Sequence, residues 1–110
     1  MSVLLDLDGA LEFLDGDAEL CERLMRSLVA LLDQAGAELP VLVAERDWTG
    51  IGDLVHRIGP SVALFSERAA APITALHAAA REGDARECKR LADLAQPLLA
   101  GLADAIRRRG

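Results

Sequence analysis

From Asp17 to Val43 the apolar residues recur at spacings of three and four: Cys21, Leu24, Met25, Leu28, Leu32, Ala35, Leu39, Leu42 and Val43. That period places them on one stripe of an α-helix, whereas a strand would need strict alternation. A helix with one apolar stripe gains its stability by burying that stripe against other helices. The chain supplies them. Ile51, Leu54, Val55, Ile58, Val62 and Phe65 form a second stripe, and Ile73, Leu76 and Ala80 a third. Cys88, Leu91, Ala92, Ala95, Leu99, Leu102 and Ile106 form a fourth.

Breaks between the stripes set the helix ends. Asp17 is a suitable N-cap for the first long helix, which the sequence allows to kink near Gly36 and Pro40. "ERDWTG" interrupts it, and Asp47 or Thr49 can cap the next. "SERAAAP" is a second interruption, after which Pro72 suits the first turn of a helix. Gly83 is a terminator and Asp84 an N-cap for the last helix. Ahead of these, Asp8 can cap a short helix over Ala10–Leu14 that ends at Gly16. The predicted fold is all-α: an antiparallel up-down four-helix bundle with a short N-terminal lid helix, in a single domain over residues 1–110. Composition agrees. Hydrophobic residues make up 52% of the chain but aromatics only 3%, so the core is built of Leu, Ala, Val and Ile.

Several function classes are disfavoured. The formal net charge of −6 repels nucleic acid and anionic membranes. Arg107, Arg108 and Arg109 read as cations that stabilise the last turn of a helix. Cys21 and Cys88 fall on apolar stripes and read as small buried thiols of a reducing compartment. They are too few for a zinc site, so no metal or cofactor is expected on the chain. No unbroken apolar run approaches the ~18 residues of a membrane span, and a cytoplasmic location and a monomeric state are expected. "VLLDLDGAL" looks like the nucleophile loop of haloacid-dehalogenase phosphatases, but no parallel sheet is available to present it. It also lacks the oxygen ligands of an EF-hand loop.

The stretch "DWTGIGDLVHRIGPS" carries the chemistry. The stripe of its helix centres between Ile58 and Val62, and His56 lies about 150° from that centre, facing solvent. Its neighbours one turn away are Gly52, Asp53, Gly59 and Pro60, with Ala63 beyond. Gly50, Gly52 and Gly59 each cost a helix about 1 kcal/mol relative to alanine, and an interior proline about 3. Helix stability alone does not select them. They leave a bare surface on which a partner's cleft can reach the histidine. Neutral imidazole is a good nucleophile near neutrality. Nothing around it supplies a base, metal ligands or a phosphate loop, so a partner must supply the catalytic charge.

At this point the chain resembles the histidine-containing phosphotransfer (HPt) domains of bacterial multistep phosphorelays, over nearly its whole length. "LDLDGALEFLDGDAELCERLMRSL" is similar to their opening, "RDWTGIGDLVHRI" to their "GDW" and "AHRL" elements, and "AAAREGD" to the boundary before their last helix. The resemblance implies a bundle with a phospho-accepting histidine, here His56. It implies docking to receiver domains of response regulators or a hybrid histidine kinase, which hold the aspartate and Mg2+. It implies a phosphoryl carrier rather than an autonomous enzyme. The family pattern H-x-x-K-G-[SA] reads here His56-Arg57-Ile58-Gly59-Pro60-Ser61, and a further family glycine is Ser66. The usual lysine is thus Gly59, and Arg57 lies on another face of the helix. Asp53 disfavours added phosphate. The alternative is therefore a degenerate module that binds a receiver without carrying phosphate. Trp48 is either a docking anchor or a staple at the start of its helix. His77, the other histidine, reads as an ordinary surface residue.

Overall fold

The computed structural model describes residues 4–109, and residues 1–3 and 110 of the expected domain lie outside them. The described residues form five helices and no strand: α1 (Leu7–Phe13), α2 (Ala18–Ala44), α3 (Trp48–Phe65), α4 (Glu67–Arg81) and α5 (Ala85–Arg109). The fold is an all-α helical bundle. α2 packs against α3 and α5, and α4 also packs against α3 and α5. The four long helices thus occupy the corners of a square, and α1 rests on α2 and α3.

The stripes explain this arrangement. Cys21, Met25, Leu28, Leu32, Ala35, Leu39 and Val43 of α2 are buried, as are all six stripe residues of α3. All seven stripe residues of α5 are buried too. Between α2 and α5 the Gln96 side-chain amide donates to the Gly36 carbonyl at 3.1 Å. Averaged over its most apolar 18 residues, α2 has a mean hydropathy of 1.4, enough by length and composition to cross a membrane. In the bundle its Glu38 and Asp33 instead pair with Arg57 of α3 and Arg107 of α5. Unbroken apolar runs are short, but the average is high because those two acids stand almost alone among small and branched residues.

The helix starts follow from side-chain caps. Asp17, Asp47 and Ser66 accept from the backbone N–H three residues on, and so satisfy a donor that has no partner inside the helix. Asp84 accepts in the same way from Glu87 at 3.0 Å. Two expected starts are corrected. The cap of α1 is Asp6, which accepts from Gly9 N at 2.9 Å, and Asp8 sits inside the first turn. There its charge still favours the positive end of the helix dipole. The α4 helix begins at Glu67 rather than near Pro72, because the buried Ser66 hydroxyl caps Ala69 N at 3.1 Å. Pro72 therefore lies within the helix. Pro40, Pro60 and Pro97 are likewise internal, and each helix runs through its proline.

Candidate functional site

The helix α3 presents two unlike faces. Its stripe is buried to 7% exposure or less. The opposite face carries Asp53, His56, Pro60 and Ala63, all exposed, and Arg57, also exposed, lies to the α2 side of it. The Asp47 cap fixes the helix start, and burial of Leu54, Val55 and Ile58 fixes its rotation. His56 therefore stands outward, where the spacing put it.

Its surroundings combine small residues and one unforeseen partner. Gly52 and Gly59 are half-buried and leave the flanks of the histidine low. A side-chain carbon at Gly59 would meet only Val55 Cγ1 of its own helix, at 3.9 Å. At Gly52 it would lie 3.7 Å from the His77 ring. His77 of α4 is half-buried and corrects the expectation of an ordinary surface residue. Its ring meets that of His56 edge to face, with centroids 4.8 Å apart and planes at 74°. An alanine side chain at Gly52 would touch the His77 ring at ordinary van der Waals distance.

Arg57 points away from this pair. Its guanidinium is held by Glu38 of α2 at 2.9 Å. No group of three or more His, Cys, Asp or Glu that could hold a metal ion occurs among the described residues. Trp48 is half-buried against the core, about two helical turns before His56. Its indole nitrogen would lie 3.6 Å from a side-chain carbon at Gly83, in the turn between α4 and α5.

Beyond Pro60 the exposed face of α3 runs into an open, mainly apolar groove. Phe13 and Leu14 at the end of α1, Leu24 of α2, and Pro60, Ala63 and Leu64 of α3 line it. Phe13 is 78% exposed, a large apolar surface at the rim. Sequence reasoning missed both Phe13 and His77. Phe13 follows an unremarkable Glu and lies on no stripe. His77 had one usable signal. His56 and His77 are nearly equidistant from Ser66, the single residue between α3 and α4, so a hairpin of these helices brings them level.

Both cysteines are buried and free. Burial pushes both thiols above their ordinary range, helped by Glu22 beside Cys21 and by Asp84 and Glu87 beside Cys88. They stay protonated near neutrality, so the thiolate needed for nucleophilic or redox work is scarce. No family model, no curated protein and no solved structure matches the chain.

Proposed function

We propose that this protein is a histidine phosphotransfer domain of the HPt kind, carrying a phosphoryl group between aspartates of receiver domains. The observation that carries the reading is the exposed His56 among Gly52, Asp53, Gly59, Pro60 and Ala63, most of them small, on a face continuous with an apolar groove rimmed by Phe13. In this reading the long helices alternate up and down, and α1 is a lid beside the docking face.

The chemistry is a pair of displacements. A ring nitrogen of neutral His56 attacks the phosphorus of a receiver's aspartyl phosphate. The new N–P bond forms as the O–P bond breaks, and the aspartate leaves as a carboxylate. The receiver's Mg2+ neutralises charge on the transferring group. Attack by a second receiver's aspartate reverses the step and returns neutral imidazole. The carrier contributes an accessible nucleophile, an apolar landing surface and no competing anchor.

A second reading, a receiver-binding module that carries no phosphate, is favoured by a specific feature. Gly59, one turn after His56, offers no cation, and Arg57 is engaged by Glu38. One experiment separates the two. Receiver domains from the source genome are phosphorylated with labelled acetyl phosphate and mixed with the wild type or the His56→Gln variant. Acid-labile label on the wild type alone supports the carrier. Binding without label, equal for both proteins, overturns it and leaves the binding module.

A further inference from the structure

We infer that His77 is a positioning residue that supplies the positive charge for the phosphoryl group on His56. The inference rests on the carrier reading and deepens it.

A phosphorylated imidazole bears about −2 near its tip, on a protein whose formal net charge is already −6. Asp53, one turn before His56 on the same exposed face, adds to the repulsion. A cation must offset it for the adduct to accumulate. Arg57 is adjacent in sequence but turned toward α2, where Glu38 holds it. Arg81 lies one turn beyond His77 on α4, and is exposed. On α5, which also packs against α4, Lys89 is tied to Asp93 and Arg90 to Glu87. The group that meets the His56 ring is His77, at 4.8 Å between centroids.

Imidazole suits the role because its charge changes close to neutral pH. An opposite charge within about 4–6 Å favours the protonated form. A phosphoryl group on the His56 nitrogen nearer α4 falls in that range. Before transfer the edge-to-face contact holds the His56 ring in one orientation. After transfer His77 takes a proton from solvent and faces the phosphoryl oxygens as an imidazolium. Gly52 lies beside the pair, 3.7 Å from the His77 ring measured from where its side-chain carbon would stand. A stripe of small residues for docking alone would not put a second imidazole there.

The test needs no receiver. The full chain is incubated with labelled phosphoramidate, a small donor with a P–N bond. The unprotonated nitrogen of His56 attacks phosphorus as the bond to nitrogen breaks and ammonia leaves with the electron pair. The phosphorylated ring then releases its other N–H proton to solvent. Rates are compared for the wild type, His56→Gln, His77→Ala, His77→Phe and His77→Lys, with helix content checked by circular dichroism. The phenyl ring keeps the packing and loses the charge, and the lysine keeps the charge and loses the ring. Loss of one charge-assisted hydrogen bond predicts a fall of about tenfold or more in Ala and Phe. Lys is expected to recover most of it. Equal rates in the wild type, Ala and Phe would overturn the role of His77 while leaving His56 a carrier. Label that survives His56→Gln would overturn it too, by placing the phosphoryl group elsewhere. Absence of label from folded wild type would remove the carrier reading itself.

Discussion

Three glycines on α3 carry different physical burdens, and substitution can tell them apart. At Gly52 an added carbon makes ordinary contact with the His77 ring at 3.7 Å, and at Gly59 only with Val55. Alanine at either position should stabilise the protein by about 1 kcal/mol, the helix-propensity difference. At Gly50 the same carbon would lie 2.7 Å from Leu42 Cδ2 and from the Asp47 carboxylate. There alanine should destabilise, because the Leu42 side chain and the capping Asp47 carboxylate must both yield. Urea denaturation of the three variants checks the order, and a gain at Gly50 or a loss at Gly52 would contradict the packing. The thiols give a second residue-scale prediction. Cys21 and Cys88 are 2% and 0% exposed, and their titration is shifted upward by burial. Both should resist a chromogenic disulfide reagent at neutral pH and react at once in denaturant. Their raised folded values also have a sign. The stabilisation they represent is present below the unfolded thiol range, near 8.5. It is lost as pH rises through the higher folded values, so stability should decline in alkali.

At the scale of elements the helix ends show what is strained. α1, α2 and α4 all close with the same motif, in which two backbone N–H groups just past the helix reach back to its last turn. For α2 the bonds run from Arg46 N to Val43 O at 3.1 Å and from Asp47 N to Leu42 O at 2.9 Å. The motif needs a left-handed residue. In α4 this is Gly83 at φ +68°, but in α2 it is Arg46 and in α1 Asp15, both at φ +55°. A non-glycine residue there costs about 1–2 kcal/mol. Arg46→Gly should therefore raise stability by about 1 kcal/mol, seen as a higher midpoint in thermal unfolding, while Gly83→Ala should lower it. The same elements show what the sequence could and could not express. The stripes of α2, α3 and α5 were legible because burial repeats every turn and needs no knowledge of the partner. Asp6 was passed over for Asp8 because both are good caps, and only the backbone angle at the entry decides between them. Ser66 was passed over for Pro72 because a buried serine directly after Phe65 reads as part of a loop. The exposure of His56 followed from its own helix alone. The contact with His77 did not, since it depends on the register of α3 against α4, which no single stripe records.

Over the whole molecule, two kinds of bond hold the corners of the square, and their strengths differ in a way that can be measured. Each long helix packs against two other long helices, so truncating one core side chain loosens two interfaces of the bundle. Leu102 of α5 is fully buried, and Leu102→Ala should cost about 2–5 kcal/mol. That is a large part of the ~5–15 kcal/mol by which such a domain is stable. The same helix also reaches α2 through charge, Arg107 to Asp33 and Arg109 to Glu22. These partners are 32–55% exposed, where solvent screens the attraction and ordering long side chains offsets much of it. The raised titration of Arg107 beside Asp33 thus marks a contact, not a strong tie. A double variant, Arg107→Ala with Arg109→Ala, should lose much less stability than Leu102→Ala alone. Raising salt to about 1 M should narrow the difference between the double variant and the wild type, since the Debye length falls to about 3 Å. If the arginine variant proved the weaker protein, and salt failed to narrow the gap, the bundle would depend on its ion pairs more than on its Leu-rich core. The packing of α5 between α2 and α4 would then need a different physical account.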